Sequence, residues 1–201
     1  MGLFTFIEGR KMEVKFERFG FYKIDKEYMK FLNSRDEQVF YRDVKGYEKK
    51  PHLGIIAKIG DVKYCIPLTS AKIKQLHWAS ISKHNLVIYE IMEESEISKG
   101  DIYKKNDTSG KYKKLLGVLE IRKMIPVKDG VYDYINFEKI KDSSYKNLLK
   151  KEYLFLQPHK QTILDKTIKL YNKQKRTGII EPCYCNFEIL EKACNEYDSR
   201  K

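Results

Sequence analysis

The stretch KYCIPLTSAKIK, residues 63–74, begins as an apolar strand and changes character at Pro67. It then offers two hydroxyls and an ammonium close together: Thr69, Ser70 and Lys72. Hydroxyls donate to phosphate oxygens, and a lysine neutralises charge that develops on a pentacovalent phosphorus. Strand ends that open into loops are where small folds place such groups. The same triplet also suits an ordinary Ser/Thr turn beside a solvated lysine. The upstream residues favour chemistry. Tyr47, Lys49 and Lys50 lead into an apolar run, His52 to Ile59, and Gly60-Asp61 turns the chain back into Val62 to Pro67. A hairpin with that turn sets the start of one strand beside the end of the other. Lys50 is therefore expected close to Thr69. Tyr47, Lys50, Thr69, Ser70 and Lys72 would then share one site able to hold a scissile phosphate without a metal.

The composition suits such a substrate. The 201 residues include 40 Lys and Arg against 28 Asp and Glu, with 15 Tyr and 10 Phe, and the net charge is +12. Cations hold phosphates and aromatic rings stack on unpaired bases, so the mixture fits single-stranded RNA. A merely solvated basic surface gives the same counts. His77 and Trp78, just after Lys72, are candidates to hold RNA; a packed Trp is the alternative.

Other chemistries find little support. There is no Walker pattern, GxGxxG, HExxH or GxSxG. The histidines at 52, 77, 84 and 159 are not paired as in a two-histidine ribonuclease, and the acids are too scattered for a two-metal nuclease. Cys65, Cys183, Cys185 and Cys194 lack the paired spacing of a zinc site and read as reduced structural thiols. No metal and no cofactor is expected. No run approaches the roughly 20 apolar residues of a membrane span. The N-terminus lacks a signal-peptide pattern, and Phe6 breaks the myristoylation pattern. A soluble, cytoplasmic protein is the default.

The elements that must position these groups follow from pattern. Residues 1–20 read as an N-terminal appendage and 21–201 as a single domain. Phe21 to Ile24 is a short strand, and Asp25 caps a helix carrying Tyr28, Phe31 and Leu32. Strands follow over 52–59, 62–67, 86–92, 115–121 and 124–127. Asp129-Gly130 is expected to turn a second hairpin into Val131 to Tyr134. Residues 93–113 read as a mobile excursion. From Ser143 the spacing of Tyr145, Leu148, Leu149, Tyr153 and Leu156 is helical. Pro158 interrupts, a second helix runs from about 159 to 175, and Asn186 caps a last one. Strands followed by helices argue an α+β fold: a small antiparallel, barrel-like sheet with helices on one side.

At this point the blocks FYKIDKEYMKFL, YEKKPHLGI, KYCIPLTSAK, LGVLEIRKMIPV, SYKNLLKKEYLFL and CNFEILEKACNEYD, in that order, matter together. The chain resembles the ToxN/AbiQ/CptN endoribonucleases, the protein toxins of type III toxin–antitoxin systems, over about residues 21–198. The resemblance implies a Kid/MazF-like toxin fold, a compact antiparallel SH3-like β-barrel with packed helices. It implies metal-independent cleavage of adenine-rich RNA to a 2′,3′-cyclic phosphate and a 5′-hydroxyl. It implies an antitoxin RNA of pseudoknot repeats, processed by the toxin and closed with it into an inhibited complex, and growth arrest or abortive phage infection in a bacterial cytoplasm. Cellular mRNA would be the other substrate; no membrane or DNA partner is implied. Tyr47, Lys50, Thr69, Ser70 and Lys72 match the family's active-site positions. Tyr28 matches a helix tyrosine at the site's edge and Tyr145 a helical aromatic near the RNA; Lys49 and Lys146 are further candidates to bind RNA. Both tyrosines also suit core packing. Ala71 stands where the family has proline, which frees the φ angle that proline fixes.

The mechanism expected is attack of the 2′-hydroxyl on phosphorus, with Lys72 and Ser70 as the main catalytic pair and Thr69 on a nonbridging oxygen. Three rivals stay open: a non-catalytic RNA-binding module, a DNA-binding regulator, and a type II toxin ribonuclease whose antitoxin is a protein.

Overall fold

The chain runs β1 (Leu3–Ile7), β2 (Arg10–Phe16), β3 (Tyr22–Ile24), α1 (Lys26–Arg35), β4 (His52–Ile59), β5 (Val62–Ser70), β6 (Asn85–Met92), β7 (Tyr103–Lys105), β8 (Tyr112–Glu120), β9 (Ile125–Val127), β10 (Tyr132–Tyr134), α2 (Ser143–Leu156), α3 (Lys160–Thr177) and α4 (Phe187–Glu196). The structure is a computed structural model and describes residues 3–7, 10–41, 51–106 and 110–198. Among them, no helix is long and apolar enough to cross a membrane.

Local chemistry accounts for the helix ends. Asp25 accepts from the Tyr28 amide at 2.8 Å and starts α1. Asp142 accepts from the Tyr145 amide and starts α2, and Asn186 accepts from Glu188 and Ile189 to start α4. Gly178, at φ 64°, closes α3 in the left-handed region. Each helix buries one stripe: Leu149, Glu152 and Leu156 in α2, and Phe187, Leu190, Ala193 and Cys194 in α4. The main core lies between these stripes and the sheet.

β4 and β5 form the predicted hairpin, from Leu53↔Leu68 to Ile59↔Val62, with Gly60 at φ 58° in the turn. β4 is buried continuously from Leu53 to Ala57, as a strand covered on both faces must be. β5 then divides its second edge. Its first half, Lys63–Cys65, pairs with β9, and its last three residues, Leu68–Ser70, pair with β8. Pro67 lies just before the β8 pairing and has no N–H to give to a ladder.

That division decides the sheet. The expected SH3-like barrel is not closed here. The main path is β1-β2-β4-β5-β8-β6, and among the described residues its two ends are not paired to each other. β10 pairs with β3, not with β9, so Asp129-Gly130 is a turn between separate neighbours and not the second hairpin expected. β2 joins the sheet through Val14↔Ile59 to Phe16↔Ala57, and Val14 is fully buried. Within the 93–113 stretch, β7 pairs with β8 through Tyr103↔Lys114. The fold is thus α+β, a large antiparallel sheet with helices. The four cysteines are free; Cys65, Cys185 and Cys194 are buried and Cys183 is exposed.

Candidate active site

β5 extends three residues past Pro67, so Thr69 and Ser70 are strand residues. Successive side chains in a strand point to opposite faces, and directly opposed antiparallel residues share a face. Ser70 pairs with Gly117, and Leu68 with Leu119, on the face that α2 covers. Thr69 pairs with Val118 on the other face, where Val118, Val87 and Leu115 form a small cluster with Ala71, Leu76 and Trp78 against it. The two hydroxyls predicted to act together therefore flank the strand end from two sides.

On the Trp78 face, Thr69 is the first member of a polar chain. Its Oγ1 donates to the Val118 carbonyl and lies within reach of Glu120 Oε1, both at 3.4 Å. Glu120 is buried, and its other oxygen accepts from Arg122 Nε at 3.4 Å and from Arg122 Nη2 at 3.3 Å. The Arg122 guanidinium lies 5.4 Å from the centre of the Trp78 ring. Sequence reasoning passed over Glu120 and Arg122. The signal was a carboxylate at the end of the apolar run LGVLE with an arginine two residues on.

Lys72 follows on a short 3₁₀ turn, Ile73–His77. Its side chain is exposed, while its backbone is held: the Lys72 amide donates to Gln75 Oε1 at 2.6 Å, and the Gln75 amide donates to the Lys72 carbonyl at 2.9 Å. Gln75 is 2% exposed and was also missed. A buried glutamine therefore fixes the backbone under an exposed lysine. His77 is exposed on the same turn.

A pocket of about 160 Å³ lies at this strand end, lined by Pro67, Thr69 and Ser70, by Pro51 and His52 at the start of β4, and by Phe40. His52 also lines a larger cleft of about 480 Å³ with Lys23, Lys26, Tyr132 and Tyr145. Burial, and then Lys26, lowers the His52 pKa, so its imidazole is neutral at neutral pH. Tyr145 has a buried hydroxyl with no hydrogen-bond partner among the described residues; burial and then Glu152 push its pKa up. Lys146 is tied to Glu138 at 2.7 Å.

Tyr28 is placed differently from the expectation of an RNA contact. It is fully buried, donates to the Pro126 carbonyl at 2.7 Å and packs edge-on against Tyr197. Its position three residues after the cap puts it on the core stripe of α1. Tyr47, Lys49 and Lys50 lie outside the described residues. The described residue next to them, Pro51, lines the same pocket as Thr69 and Ser70.

Comparison with known proteins agrees with this architecture. Two curated relatives are each called Endoribonuclease ToxN. One, from Bacillus thuringiensis subsp. kurstaki, is 28% identical over 90% of this chain and 84% of its own length. The other, from Pectobacterium atrosepticum, is 26% identical over 88% of this chain and 92% of its own. Among solved structures, one described as a processed non-coding RNA that regulates a bacterial antiviral system gives a TM-score of 0.67 at 22% identity, covering 89% of this chain and 98% of that one. AbiQ, a lactococcal anti-phage endoribonuclease, gives 0.56 at 20% identity, covering 90% and 98%. The model of the family "Toxin ToxN, type III toxin-antitoxin system" matches residues 20–195. With nearly the whole chain matched, this protein belongs to the ToxN family of type III toxin–antitoxin toxins.

Proposed function

We propose that the chain is a metal-independent endoribonuclease toxin that cleaves adenine-rich single-stranded RNA and is held inactive by a non-coding antitoxin RNA. The observation that carries the reading is the family match across residues 20–195, within which β5 ends in Thr69 and Ser70 with Lys72 two residues on. The match covers residues 20–195 and supports residues 21–201 as the catalytic unit, with β2 paired onto its sheet beside β4 and Val14 buried against it. The relation to Kid/MazF-like folds belongs to the same reading and rests on the family resemblance.

In this reading the scissile phosphate sits at the tip of β5. Ser70 approaches from the α2 face and Thr69 from the Trp78 face. The 2′-oxygen loses its proton and bonds to phosphorus; the P–O5′ bond breaks, and the 5′-oxygen takes a proton. The products are a 2′,3′-cyclic phosphate and a 5′-hydroxyl, with no redox change and no metal step. Lys72, exposed on a pinned backbone, supplies positive charge as the phosphorane forms. Lys50 and Tyr47 would complete the set from the segment that runs into Pro51. Trp78 with Arg122, and Tyr145 in its cleft, would hold flanking nucleotides by stacking.

The partner follows from kinship. One related structure is described as a type III system in which a non-coding RNA pseudoknot selectively inhibits the toxin, at 24% identity and a TM-score of 0.65. A +12 chain rich in tyrosine is suited to such an RNA. The test is cleavage of an adenine-containing single-stranded RNA in EDTA by the wild type and by Lys72→Ala. Metal-free cleavage to cyclic-phosphate ends, lowered about a thousandfold in the variant, is expected. Binding without cleavage by the wild type would leave a non-catalytic RNA-binding module.

A further inference from the structure

Glu152, on α2, is a buried acid that the cleavage scheme leaves unused. It is 3% exposed, and burial pushes its pKa up to about 8. A β-carbon at residue 117 would lie 2.5 Å from Glu152 Oε1 and 2.9 Å from the carbonyl oxygen of Thr69. Only glycine leaves room there, because both oxygens press into that space. Gly117 is the partner of Ser70 across the β5–β8 ladder. The acid therefore stands behind the peptide that joins Thr69 to Ser70.

Both oxygens border the same small space, and two oxygens that can only accept repel as they approach. A proton on the carboxyl turns that repulsion into a hydrogen bond. On α2 itself, the Tyr145 hydroxyl is the titratable neighbour that interacts with Glu152, buried and without a hydrogen-bond partner among the described residues. The charged neighbours are engaged elsewhere: Lys151 pairs with Glu90 of β6 at 2.6 Å. On β8, Lys114 pairs with Asp101 at 2.7 Å. Glu138, on the short turn packed against α2, is held by Lys146 and Lys150. Burial is the cause that moves the Glu152 carboxyl.

We propose that Glu152 is a positioning residue: as a neutral acid it donates to the Thr69 carbonyl and holds the end of β5 so that Ser70 meets the substrate phosphate. This inference rests on the endoribonuclease reading. Loss of the proton at high pH sets a carboxylate against the carbonyl, and the strand end shifts. Substrate binding, which is spread over the basic surface, changes little, so the loss falls on kcat and not on KM.

The experiment is a pH profile of kcat and KM, from about pH 6 to about pH 10, for wild type, Glu152→Gln and Glu152→Ala. Glutamine carries an N–H to the same place and does not titrate. The wild type is expected to lose kcat with a midpoint near 8, matching the acid. Glu152→Gln keeps kcat and lacks that limb. Glu152→Ala loses about tenfold or more in kcat at every pH with RNA binding retained. An unchanged alkaline limb in Glu152→Gln overturns the proposal, and so does a glutamine variant as poor as alanine. Infrared difference spectra of wild type minus Glu152→Gln give a second readout. The carbonyl stretch of a protonated carboxyl should be present at pH 7 and fade through about pH 8; its absence at pH 7 also overturns the proposal. A wild type that cleaves at no pH sinks the endoribonuclease reading, while the infrared arm still reports on the proton.

Discussion

On the Trp78 face at the end of β5, Thr69 opens a chain of paired charges: hydroxyl, Glu120 carboxylate, Arg122 guanidinium, indole. On the α2 face, one residue along, Ser70 stands opposite Gly117 with the buried Glu152 carboxyl behind it. One face keeps its charges by pairing them; the other suppresses charge by burial. A single strand end therefore carries two electrostatic settings within one peptide unit. The paired side can orient a group and hold an anion's surroundings fixed. The uncharged side can bring a hydroxyl to a phosphate without a competing carboxylate. Under the proposed function, Ser70 would meet the reacting phosphate and Thr69 would hold the geometry of the strand tip.

The largest effect expected of that division is on cleavage. Ser70→Ala should lower kcat/KM for RNA cleavage by about a hundredfold, and Thr69→Val by only about tenfold. Both variants should melt within a few degrees of wild type, because neither side chain is part of the main core. Equal losses in the two variants would erase the distinction between the faces. A smaller effect, on stability, probes the charge chain. Arg122→Ala removes the hydrogen-bond donors to a carboxylate that is 5% exposed, and should destabilise by about 1–3 kcal/mol in urea unfolding. Adding Glu120→Leu to Arg122→Ala should recover much of that loss, since the charge left unpaired is then gone. No recovery in the double variant would mean that Arg122 stabilises through its contact with Trp78 instead.

Much of the frame was legible in the sequence because its causes are local. β4 runs from His52 to Ile59 as the apolar run predicted, Gly60 makes the turn, Asp25 and Asn186 cap their helices, and α2 starts at Ser143. What escaped depends on partners far along the chain. β5 continues to Ser70 only because Val118 and Gly117 lie beside it. Read as a loop, Thr69 and Ser70 were free to converge; read as a strand, they cannot. The open sheet, the pairing of β10 with β3 and the ordered β7 are likewise long-range pairings with no local signature. Gln75 and Glu120 were missed for a related reason. A polar residue in sequence looks solvated, and burial marks it as a positioning group only once the fold is known. Tyr28 was legible as a helix residue, and its spacing from Leu32 already placed it on the buried stripe.

The smallest effect concerns His52, which lines the pocket at the strand end with Thr69 and Ser70. Burial lowers the folded His52 pKa below the ordinary 6.5. As pH falls through about 6.5, the unfolded chain gains a proton at this residue before the folded chain does. Stability is then lost with falling pH, until the folded pKa is reached and both states carry the proton. Glu152 works in the opposite sense. Its folded pKa is raised from 4.5 to about 8, so the stability it contributes is present below 4.5 and is lost as pH rises to about 8. His52→Gln should therefore flatten the stability–pH curve below about 6.5 and leave it unchanged above, while Glu152→Gln should remove the decline that runs from 4.5 to about 8. Urea midpoints at closely spaced pH values will decide it. If His52→Gln leaves the acid slope as steep as in the wild type, His52 is solvated and protonates freely, and the cleft it shares with Lys26 and Tyr145 is open to water instead of holding a neutral imidazole ready to stack against a base.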